Sequence, residues 1–152
     1  MDFYFDPATY PLEKVVKKAL SPQDRDFNTA CQLLMARIEH ARDEVIVVFL
    51  GLLAIYGDNL GRLTSIVHFL RILPSEATTQ RLFAELRRVK SNNTTRRYLS
   101  AVLDALAEYP PILTEDLFAE LAEDPAFSQR SVLSFARWLW ENPGNRSEPC
   151  GA

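Results

Sequence analysis

Apolar residues recur along this chain at intervals of three and four. Phe27, Cys31, Leu34, Met35 and Ile38 form one such series, and Leu63, Ile66, Val67, Leu70 and Leu73 another. Leu82, Phe83, Leu86 and Val89 follow, then Tyr98, Leu99, Val102, Leu103 and Leu106. Spacing of this kind lines one face of a helix with apolar side chains. It predicts eight helices paired into four hairpins. The first pairs residues 11–20 with 22–40, the second 43–56 with 59–73, the third 76–90 with 93–109 and the fourth 115–123 with 128–141. The expected fold class is all-α, a superhelix of about four stacked hairpins (11–40, 43–73, 76–109, 114–141) in a single domain over 1–142, with a flexible tail at 143–152.

Local punctuation supports these boundaries. Ser21 is read as a cap with Pro22 in the first helical position, Asn59, Ser75 and Thr114 as further caps, and Asp43 and Glu44 as first-turn anions. Gly57 and Asp58 break the second hairpin, and Ser91, Asn92 and Asn93 make the loop of the third. Pro74, Pro110 and Pro143 each follow a second helix, because the residue before proline avoids helical geometry. The longest apolar run, Val45 to Tyr56, is about 12 residues, short of the roughly 20 needed to span a membrane. It reads as a helix buried on nearly all sides.

The hairpins also repeat in sequence. Asn59-Leu60-Gly61-Arg62 is echoed 34 residues later by Asn93-Thr94-Thr95-Arg96, and the next step reaches Arg130. Leu82-Phe83-Ala84-Glu85-Leu86 returns after 35 residues as Leu117-Phe118-Ala119-Glu120-Leu121. A period near this length marks stacked helical hairpins, each covering its neighbour's apolar face. The alternation of cap, helix, short turn, helix and proline resembles the HEAT-like and tetratricopeptide-like α-solenoids. The period has tetratricopeptide length, but no hairpin carries that family's ordered aromatic, Leu-Gly, Tyr and small-residue series. The resemblance is therefore to a degenerate HEAT-like stack, and it implies a protein that binds other molecules.

Composition narrows the class. With 152 residues, 47% apolar and 24% charged, the chain suits one ordinary globular domain. Five glycines leave little turn chemistry for a sandwich or barrel. Cys31 sits in an apolar helical pattern and reads as a core residue, while Cys150 falls in the tail, so no disulfide framework is expected. The first residues have no basic region and no cleavage site, which leads to an expectation of cytoplasmic location. Phe3, Tyr4 and Phe5 read as a cap over the first hairpin or as a partner-binding arm.

Little points to catalysis. His40 ends a helix and His68 lies mid-helix, and neither has a second histidine or cysteine at i+3 or i+4 to start a zinc site. Asp116 and Glu120 share a helical face that suits a divalent cation in principle, but the Glu-x-x-His motifs of a dimetal bundle are missing. There is no glycine-rich phosphate loop and no Gly-x-Ser-x-Gly elbow. The expectation is a non-enzyme without cofactor or metal.

Charge is distributed more tellingly than the net value of −3 implies. Between Arg81 and Arg97 stand Arg81, Arg87, Arg88, Lys90, Arg96 and Arg97 against one acid, Glu85. From Tyr98 to Asp124 there is no base, while Asp104, Glu108, Glu115, Asp116, Glu120, Glu123 and Asp124 are all acidic. The acidic segment is the candidate partner-binding face, suited to a basic protein. The alternative surface is basic: Arg62, Arg87, Arg88, Arg96, Arg97 and Arg130, with Arg62, Arg96 and Arg130 as a ladder able to hold nucleic-acid phosphates. A nucleic-acid partner ranks behind a protein partner because the chain is acidic overall, and no membrane partner is expected. The bland alternative is that both sets merely solvate exposed faces. A short, acidic, all-helical chain with no catalytic set is similar in type to the helical-repeat immunity proteins of bacterial toxin systems. That resemblance implies an inhibitor whose acidic face occludes a basic toxin; a scaffold or adaptor with a peptide groove is its nearest neighbour.

Overall fold

The computed structural model describes residues 10–123, and every regular element among them is an α-helix. In chain order these are α1 (Leu12–Ala19), α2 (Asp24–Met35), α3 (Ile38–Ile55), α4 (Leu60–Leu70), α5 (Glu76–Arg88), α6 (Arg96–Glu108) and α7 (Pro111–Glu123). The all-α class follows directly from the apolar spacing. No helix among the described residues is long and apolar enough to cross a membrane. The second helix of the fourth hairpin, Asp124, Arg130, the aromatic start, Cys150 and the tail lie outside the described residues.

The chain divides into two compact units at the Gly57–Asp58 junction, which falls inside the expected second hairpin. In the first unit, α1 pairs with α2 and α2 packs on α3. Val15, Phe27, Cys31, Leu34, Phe49 and Leu53 are all buried there. Tyr56 closes this core twice. Its ring meets Phe27 edge to face at 5.7 Å, and its hydroxyl donates to the Ala19 carbonyl at 2.5 Å.

The expected helix over 22–40 is not continuous. α2 stops at Met35, and Ala41 leaves helical geometry with φ −146° and ψ 44°. The cause is tertiary. Arg37 donates to the Tyr10 carbonyl at 2.5 Å and faces Glu44 at 3.8 Å, so the chain turns around its guanidinium. Ser21 does not cap α2 as expected: its hydroxyl donates to Asp26 at 2.8 Å and accepts from Gln23 N, while the helix starts at Asp24. α3 is also less enclosed than its composition implies. Val45, Ile46, Phe49, Leu52 and Leu53 are buried, but Val47 is 68% and Ile55 61% exposed.

In the second unit α4 packs on α6, α5 on α6, and α7 on α5. First helices thus meet first helices and second helices meet second helices, two rows tied by the α5–α6 hairpin. Asn59 caps α4 by accepting from Arg62 N at 3.2 Å, and Ser75 caps α5 by accepting from Thr78 N at 3.0 Å, both as read from sequence. In the loop of the third hairpin the closing residue is Asn92. Asn92 Oδ1 accepts from Thr94 N and Thr95 N at 2.9 and 3.0 Å, and Thr95 Oγ1 accepts in return from Asn92 N at 3.0 Å. This reciprocal box satisfies the free donors of the turn. α7 begins four residues before the expected Glu115, at Pro111, where a missing N–H costs nothing. Thr114 is therefore buried within the first turn and is not a cap.

The repeated pentapeptide explains the seam between α5 and α7. Phe83 and Phe118, the second residue of each copy, stack edge to face at 5.0 Å with their planes at 78°. At the other end of the rows the Tyr109 hydroxyl donates to the Leu70 carbonyl at 2.6 Å, fixing the end of α6 to the end of α4. Replacing Phe118 with alanine should lower stability by about 3–5 kcal/mol, while Glu120→Gln should change it by less than about 0.5 kcal/mol. Urea midpoints of the two variants check this, and equal losses would contradict the packing register.

Candidate functional site

Aligning the two copies of the pentapeptide brings out what the spacing of apolar residues conceals. Glu85 and Glu120 hold the same place in the repeat, yet Glu85 is 1% exposed and Glu120 is exposed to solvent. Their helical neighbours account for the difference. Arg81 stands four residues before Glu85 and Arg88 three after it; adding 35 to each number gives Asp116 and Glu123. Two cations in one copy are replaced by two anions in the other.

Around Glu85 the cations are in use. Arg88 Nε and Nη2 donate to its two carboxylate oxygens at 2.6 and 2.7 Å, and the Tyr98 hydroxyl donates to Oε1 at 2.6 Å. Burial pushes the Glu85 carboxyl up, but the hydrogen bonds from Arg88 and Tyr98 and the charges of Arg88 and Arg81 overcome it, leaving the group below its ordinary 4.5. Burial first, then donation to Glu85, pushes the Tyr98 phenol well above its usual range. The hydrogen bond to Glu85 raises Arg88. Arg81 lies alongside, its Nε buried and without a hydrogen-bond partner among the described residues. This is a structural clamp between α5 and α6.

On α7 the equivalent face is an open row of anions. Asp116, Glu120 and Glu123, spaced four and three apart, are all exposed, with Ile112 88% exposed at the head of the same face. Glu115 is exposed beside them, about 100° around the axis. None of these four carboxylates makes an ion pair among the described residues. The remaining members of the expected acidic segment are divided from this row. Asp104 is exposed on α6, whereas Glu108 pairs with Arg71 at 3.1 Å and is not a free anion.

The expected arginine ladder does not form as a set of equivalent groups. Arg62 is 6% exposed inside α4, because Asn59 caps that helix three residues earlier and turns position 62 inward. Arg96 begins α6 and is exposed, as are Arg87 and Arg97, while Arg88 is committed to Glu85. Arg130 lies outside the described residues.

His40 and His68 are both exposed, and no group of three His, Cys, Asp or Glu side chains among the described residues converges to hold a metal ion. A groove of 510 Å³ on the first unit is lined by Tyr10, Lys14, Lys17, Lys18, Ser21 and Asp26, with Asp26 already accepting from Ser21. No protein family, curated protein or solved structure matches the chain.

Stability should report the Glu85 clamp through pH. A carboxylate held below its ordinary value stabilises the fold above about pH 4.5, and that contribution is lost as pH falls through the lowered value. Glu85→Gln should therefore cost about 1.5–3 kcal/mol at neutral pH, the range for hydrogen bonds to a charged group. The gap between wild type and variant should narrow on acidification, as followed by urea denaturation at neutral and acid pH. A gap that stays constant would contradict the assignment.

Proposed function

We propose that this chain is a protein-binding module of stacked helical hairpins, of HEAT-like type, that engages a basic partner through the outward face of α7. The carrying observation is the inversion of charge between equivalent positions: on α5 Arg88 neutralises Glu85 with Arg81 alongside, whereas Asp116, Glu120 and Glu123 face solvent without a counter-charge among the described residues. The packing of first helices on first helices and second on second helices supports the repeat reading. A row of anions one helical turn apart raises the encounter rate with a cationic surface and suppresses acidic competitors. Ile112 adds an apolar contact at one end, in keeping with an interface in which charge orients and an apolar group anchors.

The inhibitory form of this reading is an immunity protein that covers the basic cleft of a toxin in the cytoplasm of a bacterium. Charge on the face would then set recognition, and the occlusion itself would supply the inhibition.

Two measurements test the proposal. The triple variant Asp116→Lys, Glu120→Lys, Glu123→Lys should keep its helical circular dichroism and lose the basic protein that the wild type retains on a column at low salt. Association of that protein with the wild type should slow steeply as salt rises, since exposed charges more than about 10 Å apart are screened at 0.1 M. For the inhibitory form, co-expression with the wild type should relieve the partner's toxicity and co-expression with the triple variant should not. Retention unchanged by the triple reversal sinks the acidic face.

A further inference from the structure

The opposite charge is gathered at the tip of the α5–α6 hairpin. The segment reads Arg87-Arg88-Val89-Lys90-Ser91-Asn92-Asn93-Thr94-Thr95-Arg96-Arg97, in which Val89 alone is apolar and is half-buried. Its two arms are held side by side. Thr95 Oγ1 donates to the Lys90 carbonyl at 2.5 Å while accepting from Asn92 N, and Arg96 N donates to the Asn92 carbonyl at 3.0 Å. Lys90 and Arg96 therefore flank one closed turn, with Arg87 and Arg97 next to them along the helices.

Folding accounts for one cation of this group, Arg88, which neutralises Glu85. The side chains of Arg87, Lys90, Arg96 and Arg97 are exposed and make no ion pair among the described residues. Arg96 and Arg97 also stand in the first turn of α6, where the helix dipole repels cations. The first turns of α1, α2 and α5 carry acids instead. Local stability thus argues against the residues found here, and a breach of local rules of this kind is what a functional position produces.

We propose that this tip binds the phosphates of a nucleic acid strand, independently of the acidic face of α7. Arg87, Lys90, Arg96 and Arg97 neutralise successive phosphates, and the exposed Asn93 and Thr94 donate to phosphate or sugar oxygens. Arginine, lysine, asparagine and threonine are the side chains that make such contacts, which position a strand without reading its sequence. A membrane surface fits less well, since the cations gain only about fivefold in affinity each at an anionic surface and the tip presents no exposed apolar group to insert beside them. The surface differs from the ladder expected at Arg62, Arg96 and Arg130, because it joins the end of one helix to the start of the next.

Fluorescence anisotropy of the full chain with a labelled single-stranded oligonucleotide tests this directly. About four phosphate contacts give a slope of log K against log salt near −3, so affinity should fall roughly 50-fold between about 50 and about 200 mM salt. Arg96→Ala with Arg97→Ala should weaken binding about tenfold or more and flatten that slope, with circular dichroism unchanged. Asp116→Lys should leave the effect of the arginine pair intact, which separates failure of this proposal from failure of the acidic face. Absence of binding at low salt, or binding untouched by substitution of all four cations, overturns the proposal. Binding to phosphatidylserine vesicles as tight as to the oligonucleotide overturns its assignment to nucleic acid.

Discussion

A carboxylate taken out of water must be surrounded by donors, and Glu85 is where the second unit meets that demand. Arg88 from the same helix and Tyr98 from the next fill both of its oxygens, so the pairing of α5 with α6 is specified by a polar contact as well as by apolar packing. Removing Glu85 would leave the buried Tyr98 hydroxyl without its acceptor, and removing Arg88 would leave a buried carboxylate uncompensated, both costlier than losing a surface pair. Because α7 packs on α5 and α4 on α6, both rows of helices depend on that one clamp.

The same clamp explains how one pentapeptide supports two opposite surfaces. Leu82, Phe83 and Leu86 turn inward with Phe118 and Leu121, so the apolar half of the repeat is spent on packing in both copies. Only the polar half is free to diverge. With arginines on either side, Glu85 is drawn in and neutralised; with Asp116 and Glu123 on either side, Glu120 stays in water. A repeat protein can change its surface in this way without disturbing its core, since helical spacing separates the residues that pack from those that face outward.

How much of this was legible in the sequence follows from how local each cause is. Helices and their apolar faces were legible because three-and-four spacing reports burial directly. The caps at Asn59 and Ser75 were legible because each acts on a backbone group three residues away. The break at Arg37 was not, since it depends on Tyr10, 27 residues distant. Asn92 and Asn93 offer the same side chain, and only the reciprocal bond with Thr95 distinguishes them. Arg62 and Arg96 share a repeat position, yet the third hairpin starts its second helix two residues later relative to the echo, and one is buried while the other is exposed. The inversion at Arg81 and Arg88 was readable all along, but only by comparing what flanks the two pentapeptides and not the pentapeptides themselves.

The hydrogen bond between Tyr98 and Glu85 carries a consequence at the alkaline end of the scale. A phenol whose ionisation is pushed far above its ordinary 10.0 stays protonated in the folded chain, while the unfolded chain releases that proton once the ordinary value is passed. Stability from this group is complete below about pH 10 and drains away above it, just as that from Glu85 drains away in acid. The buried cluster of Glu85, Arg88 and Tyr98 thus loses stability at both ends of the scale. Tyr98 therefore holds its proton for as long as α5 and α6 keep it buried against Glu85.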